Sequence, residues 1–319
     1  MTDYRDKTIA ILGANGFIGR NLVAALRRQG VRRVIAVSRS IDYAFFAAID
    51  PAIFTANADL GDAETVARLG ADWDVVVDLV ASATPRCFAD SRDERINSEV
   101  QPHRELYDRL MRRARPPALM YASSGGAVYN LESDRVSERD PTHPVSGYGR
   151  AKLLVEQYIR GLPELSYMIL RPSNPYGHGQ HNKRGQGLIS AIFQAKLAGR
   201  PIQIYGDGEA VRDYIYIDDV TAAMVAGIVR LAGGPCRITL NVGSGVGLAT
   251  YAVIAACEAL FEEALAIERR PAMNSDVRRN VLAIKSAREF LGWQPRVSFN
   301  AGLRQAWAYW LAHESAPRH

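Results

Sequence analysis

The sequence predicts an α/β protein, a doubly wound parallel sheet with a smaller mixed α/β lobe in its C-terminal part. Three observations predict it. Near-continuous apolar strand runs alternate with amphipathic helical runs up to Pro172. A glycine-rich turn joins the first strand to the first helix. After Pro172 the alternation gives way to "SNPYGHGQHNKRGQG" (173–187), a polar, glycine-rich loop, and then to short strands mixed with helices.

The elements follow in order. "KTIAIL" (7–12) reads as a buried strand. "FIGRNLVAALRRQG" (17–30) places Ile18, Leu22, Ala25 and Leu26 on one helical face and stops at Gly30. "RRVIAVS" (32–38) and "WDVVVDLVA" (73–81) are the next strands, followed by a helical stretch around 94–114. Then come "ALMYASS" (118–124), a helix from about 148 to 162, and "SYMILRP" (166–172). Residues 1–172, with 213–245 contributing, are expected to form one domain, and 173–319 a smaller lobe interleaved with it. No internal repeat or heptad array is visible.

Composition bounds the function. The chain has 319 residues, 48% hydrophobic and 23% charged, which is ordinary for a soluble globular protein. The net charge of +5 is scattered in short groups such as "RLMRRAR" (109–115) and "VRRN" (277–280). That pattern suits small phosphate-bearing molecules and argues against nucleic acid. Cys87, Cys236 and Cys257 have neither disulfide nor zinc spacing, and no apolar run is long enough to span a membrane. A cytoplasmic location and no metal are the expectations.

"ILGANGFIGR" carries Gly13, Gly16 and Gly19 between strand and helix. The first allows a tight turn, the second admits a pyrophosphate, and the third lets the helix pack closely. The helix N-terminus then faces negative charge. A dinucleotide is therefore expected, held by this loop with Asn15, Phe17 and Ile18, and by Leu79, Val80 and Ala81 after the "VVVD" strand. The second strand ends in Ser38 and Arg39, where an NAD site usually has an acid. A serine and an arginine suit a 2′-phosphate, so the cofactor is NAD(P), leaning to NADP. Asp59 and Leu60 in "NADLGD" stand where a carboxylate can meet an adenine amino group.

"SGYGRAKLLVEQYIRGL" places Ala151, Leu154, Val155, Tyr158, Ile159 and Leu162 on one helical face. Tyr148 and Lys152, four residues apart, are neighbours on that helix. A phenol near pKa 10 is a poor base at neutral pH. A nearby ammonium and an oxidised nicotinamide favour the phenolate and are expected to lower its pKa. Tyr148 can then take a hydroxyl proton while hydride leaves the carbon.

With these residues in place, the chain resembles the extended short-chain dehydrogenase/reductases, in particular the nucleotide-sugar epimerase/dehydratase family. The likeness runs through "GANGFIG", "ADL", "SSGGAVY", "YGRAK", "RPSNPYG", "VRDYIYIDDV", "NVGSG" and "FLGWQP" in the family order. It implies a Rossmann domain, a C-terminal lobe closing on a nucleotide diphosphate sugar, and a homodimer paired through the 94–114 and Tyr148 helices. It also implies Tyr148 and Lys152 as the catalytic pair, and Asn97 as a residue holding the cofactor region. Asn174 and Arg212 become substrate contacts, with Tyr214 lining the same cleft.

One departure stands out. The family's catalytic hydroxyl, counted back from Tyr129, falls on Gly125. Either the Gly125–Gly126 pair lets Ser124 supply it, or Tyr148 works without it. Ser123 is expected to point away, and Gly125→Ser to be tolerated if Gly125 does not need a positive φ. Ala283 replaces a frequent family aspartate, and Arg270 and Asp276 lie near positions that often contact substrate. Gly126 and Ala127 carry no acid pair of the kind a 4,6-dehydratase needs. The expected reaction is 4-epimerisation of a nucleotide hexose. The alternatives are an NADPH-dependent 4-keto reductase and a catalytically silent NAD(P)-sensing protein.

Overall fold

The structure is a computed structural model that describes residues 3–62, 69, 72–81, 93–131, 133–180, 187–271 and 277–314. Cys87 and Asp276 lie outside the described residues.

A seven-stranded sheet forms the larger part. Its strands are β1 (Thr8–Leu12), β2 (Arg33–Ser38), β3 (Phe54–Asn57), β4 (Val75–Asp78), β5 (Ala118–Ala122), β6 (Tyr167–Pro172) and β10 (Arg237–Val242). They run in the order β10-β6-β5-β4-β1-β2-β3, every pairing parallel. Because β1 is buried on both faces, its alternate residues enter different cores. Ile9 and Ile11 join Val75, Val77 and Met120 on one side, while Ala10 and Leu12 join Val76, Leu119 and Tyr121 on the other. This two-sided burial is why the strands read as continuous apolar runs.

Helices cover both faces. α1 (Phe17–Arg28) lies on the first face. The short α2 (Tyr43–Ile49) links β2 to β3. α3 (Asp93–Met111), with Ile96, Val100 and Leu106, packs on the second face. α4 (Gly125–Val128) is one turn at the end of β5. α5 (Gly147–Gly161) lies beside α3, with Ala151, Val155 and Ile159 in the same core. α6 (Leu188–Leu197) follows, and α7 (Ile217–Gly233) packs beside α1 through Val220, Met224 and Ile228.

The smaller lobe is built on β9 (Val211–Tyr216). It pairs with β7 (Asn174–Tyr176) and β13 (Arg279–Asn280) in parallel and with β11 (Gly247–Ala249) antiparallel. β8 (Ile202–Tyr205) and β12 (Ile267–Arg270) make a two-stranded pair. α8 (Thr250–Phe261) and α10 (Phe299–Glu314) complete the lobe, while α9 (Lys285–Leu291) packs against α7 and β10. The sequence pattern left α2 and β3 unmarked. β3 has no fully buried position, so its period is invisible, and α2 depends on Asp42, whose carboxylate caps it by accepting from Phe45 N at 3.0 Å.

Strand order reverses between β1 and β4, so the loops after these strands part and leave a crevice at their C-terminal ends. The glycine turn stands there. Gly13 adopts φ +78°, and Gly13 N and Ala14 N both bond Val37 O, at 2.9 and 3.0 Å. A Cβ on Gly19 would sit 2.6 Å from both the Gly13 and Ala14 carbonyl oxygens. Gly19→Ala should therefore force the helix off the turn and cost about 1–3 kcal/mol, read by chemical denaturation. Wild-type stability in that variant would show that the turn has slack.

Candidate active site

The crevice has a phosphate side and a reacting side. On the phosphate side, exposed Gly16 caps α1 and brings no side-chain bond of its own. The first-turn N–H groups of α1 therefore face the crevice mouth with the positive end of the helix dipole, the arrangement a pyrophosphate needs. Gly13 lies against the loop after β4. A Cβ there would come within 3.1 Å of Leu79 C and 3.3 Å of Val80 N. Leu79, Val80 and Ala81 are half-buried along this edge, and Phe17, Ile18 and Leu79 pack on the core. The residues present fit a dinucleotide.

Other predicted cofactor residues are engaged locally. Asn15 donates through Nδ2 to Ser40 O at 2.7 Å and accepts from Arg20 Nη2 at 2.7 Å, so its side chain ties the turn to the end of β2. Arg20 also pairs with Asp42 at 2.9 Å. Ser38 is half-buried and Arg39 exposed at that strand end. Asp59 is exposed and accepts from Gly61 N at 3.1 Å, with Leu60 buried behind it.

On the reacting side, Ser124 lies two residues past β5 as the cap of α4, and its hydroxyl is close enough to the Tyr148 phenol to lower its pKa. Ser123 is buried, with no partner for its Oγ. α5 begins at Ser146, whose side chain accepts from Gly149 N at 3.1 Å. That cap sets Tyr148 and Lys152 one turn apart, over the end of β5. Lys152 is 5% exposed, and Nζ donates to Ala122 O at 3.0 Å and Val80 O at 3.4 Å. It lies 4.8 Å from the Tyr121 ring centre and 5.9 Å from that of Tyr148.

In the protein alone, burial pushes the Tyr148 phenol up to about 12, and the nearby Ser124 hydroxyl offsets only part of that. Burial lowers Lys152, with Asp78, Glu99 and Glu156 opposing it. The lysine's charge is spent on backbone carbonyls and does not by itself produce a phenolate. The expected depression of the tyrosine therefore needs further positive charge in the crevice.

The C-terminal lobe reaches under this site. Asn280 Nδ2 donates to Gly125 O at 3.1 Å. Leu282 fills the space where a Gly125 side chain would go, since a Cβ there would meet Leu282 Cδ1 at 2.6 Å and Arg171 O at 3.0 Å. Gly125 has no positive φ, so the expectation that Gly125→Ser is harmless fails on space, not on backbone angle. Buried Asp213 binds the lobe's loops together. It accepts from Ser244 N at 2.8 Å, Ser244 Oγ at 2.7 Å, Gly245 N at 3.1 Å, Leu282 N at 3.2 Å and Ser173 Oγ at 3.2 Å.

The remaining sequence candidates divide. Half-buried Asn174 donates to Asp213 O at 2.9 Å, a bond that holds its own loop. Arg212 is half-buried and donates to Val211 O at 3.0 Å. Tyr214 packs 5.9 Å from the Phe299 ring, and burial raises its phenol to about 12. Arg270 pairs with Glu268 at 2.8 Å on exposed β12. Ala283 N donates to Val136 O at 2.8 Å, a structural contact. Asn97 is exposed on α3, near Gln101 and Arg104 and away from the Tyr148–Lys152 crevice. A helix turns about 100° per residue, so Glu99, two positions on, faces Tyr148 and Lys152 instead. Sequence reading missed Glu99, His103, Asp213 and Asn280. Only the position of Glu99 one turn before His103 was a usable signal.

Among the described residues no group of three or more His, Cys, Asp or Glu could hold a metal, and no helix is long and apolar enough to cross a membrane. The model of the NAD dependent epimerase/dehydratase family matches residues 9–243. A UDP-glucose 4-epimerase of Mycolicibacterium smegmatis is 35% identical over 191 residues, 58% of this chain and 59% of that protein. A dTDP-4-dehydro-6-deoxyglucose reductase of Escherichia coli is 34% identical over 189 residues, 58% of each chain. The chain thus spans about three fifths of the length of these relatives. The UDP-glucose 4-epimerase of Thermotoga maritima, solved with UDP-glucose, superposes with TM-score 0.87 at 26% identity, covering 97% of this chain and 100% of that one.

The fit at Gly125 predicts coupling. Gly125→Ser should lose about 1–3 kcal/mol of stability. The double variant Gly125→Ser with Leu282→Ala should be less destabilised than the two singles added, by about 0.5–3 kcal/mol. Strict additivity in denaturant titrations would show that Leu282 does not exclude the side chain.

Proposed function

The chain belongs to the NAD-dependent epimerase/dehydratase family, and on that premise we propose that it is a nucleotide-sugar 4-epimerase. One observation carries the reading. The Ser124 hydroxyl, the Tyr148 phenol beside it and the buried Lys152 meet at the end of β5, beside the glycine turn. That is a proton-handling group next to a dinucleotide cradle. A nicotinamide dinucleotide held there would supply the hydride acceptor, the added positive charge and the hydride donor.

The protein's own residues do the rest. Gly16 leaves room for the pyrophosphate, Gly13 and Gly19 let the turn and helix close tightly around it, and the N-terminus of α1 faces it. Tyr148 takes the proton from the sugar 4-hydroxyl and returns it when the 4-keto sugar has turned over in the cleft. Ser124 shares its hydroxyl between Tyr148 and that oxygen. Lys152, held under the tyrosine by the Ala122 and Val80 carbonyls, keeps positive charge close. Arg212 and Asn174 are the candidates to meet the diphosphate and sugar, with Tyr214 in the same cleft; a guanidinium fork suits phosphate. Two copies pair through α3 and α5 in this reading.

A second reading is an NADPH-dependent reductase of a nucleotide 4-keto sugar. Arg39, exposed at the end of β2 with no acid beside it, favours it, because its guanidinium can hold a 2′-phosphate. Mass spectrometry of the cofactor that co-purifies separates the two. Retained NAD favours the epimerase, and a protein that takes up NADPH from solution favours the reductase. Arg39→Asp should move relative affinity from NADP towards NAD, read as paired dissociation constants. A wild-type preference for NAD overturns the Ser38–Arg39 argument.

Tyr148→Phe should keep the fold and cofactor binding and lower turnover at least about a hundredfold. Ser124→Ala should lower kcat by about 30- to 1000-fold, with cofactor affinity nearly unchanged, and Ser123→Ala far less. Wild-type turnover in Ser124→Ala would leave "SSGG" as a turn alone.

A further inference from the structure

Glu99, His103, Tyr121, Tyr148 and Lys152 line one narrow crevice between α3, β5 and α5. Glu99 is half-buried and lies one turn before His103 on α3. His103, 3% exposed, sits behind it, with Nδ1 2.7 Å from Asp78 Oδ2. Its ring meets the edge of Tyr121 at 5.7 Å, and the Tyr121 ring in turn lies beneath the Lys152 ammonium. A buried ammonium bonded only to carbonyls and a ring face needs a counter-charge.

The charged and titratable groups around Lys152 are Glu99, His103 and Tyr107 on α3, Asp78 on β4, Tyr121 on β5, and Tyr148 and Glu156 on α5. Glu156 is committed elsewhere, paired with Arg171 at 2.6 Å and Arg160 at 2.7 Å. Asp78 is wrapped by His103, Tyr107 and the Val80 N–H, at 2.7, 2.7 and 3.0 Å. Of these carboxylates only Glu99 lines the crevice that Tyr148 and Lys152 share.

We propose that Glu99 is a positioning residue for the Tyr148–Lys152 pair, its carboxylate acting from within their crevice, alongside buried Asp78 behind it, to keep Lys152 an ammonium in a dry site. The inference rests on the reading of that pair as the proton-handling group. A negative charge here makes both protons harder to lose. Tyr148 then ionises at higher pH, and Lys152 stays charged to higher pH, the direction in which Glu99 acts on both groups. The pair's working range is shifted upward as a unit, with the same groups doing the chemistry.

The test is the kcat–pH profile of Glu99→Gln and Glu99→Asp. Glu99→Gln should move both the acid and the alkaline limb to lower pH, by about one unit. Glu99→Asp, which keeps the charge, should hold both limbs within a few tenths of a unit. Unmoved limbs in Glu99→Gln overturn the proposal, and so does an equal shift in Glu99→Asp, which would make the effect one of shape. Should Glu99→Gln fail to fold, Glu99→Ala with and without formate replaces it. Limbs that return upward with formate support the proposal, and limbs that stay down overturn it. Ultraviolet titration of the Tyr148 phenolate, with Tyr148→Phe as the subtraction, reads the same shift without turnover. A fully active Tyr148→Phe would sink the reading of the pair, whereas an unshifted phenolate in Glu99→Gln would sink only the role of Glu99.

Discussion

The buried carboxylate of Asp213 is the constraint on which the site depends. Burial pushes its pKa up, and the bonds from Ser244, Leu282 and Gly245 pull it back. Those donors come from the loop after β10 and from the segment after β13, and Ser173 adds the loop after β6. One side chain thereby joins three crossings of the chain between sheet and lobe. A buried charge of this kind holds only while its donors stay in place, because an unpaired one costs several kcal/mol. It therefore works as a geometric lock. By fixing Leu282 it fixes the surface against which Gly125 packs, and by that route the position of Ser124.

A similar balance governs the reacting groups. Tyr148 and Lys152 are both drawn towards their neutral forms by burial. The carbonyls of Ala122 and Val80, the Tyr121 ring and the carboxylates behind it keep the lysine usable without solvating it. The tyrosine, with a hydroxyl partner and no cation in direct contact, stays a poor base in the protein alone. In the proposed reaction its ionisation would wait on an arriving positive charge, and this dependence follows from low polarity and not from any special residue.

The two sides of the crevice are supported differently. The phosphate side is local. Gly13, Gly16 and Gly19, with the Asn15–Ser40 and Arg20–Asp42 ties, come from adjoining stretches of chain, and their geometry follows from the strand–turn–helix unit. The reacting side is assembled from β4, β5, α3, α5 and the lobe. Substitutions far along the chain can therefore disturb Ser124 while leaving the glycine turn untouched.

The sequence by itself determined what short-range periodicity can encode. Strand–helix alternation gave the parallel sheet, the glycine spacing gave the cradle, and the four-residue interval of Tyr148 and Lys152 placed them on one helical face. It failed where a helix face had to be chosen without its neighbour. Asn97 and Glu99 differ by two positions on α3, and only the packing of α3 against α5 turns Glu99 to the pair. It also left open which residue replaces the hydroxyl missing at Gly125. What packs around that turn comes from Asn280, 155 residues along the chain, and from Leu282 two positions on. Such contacts carry no local signature, because an asparagine or leucine in a short strand looks the same whether or not it supports a catalytic turn. Tertiary packing brings them together, so that a side chain at 125 would have to displace Leu282, and Ser124 is the hydroxyl left beside Tyr148.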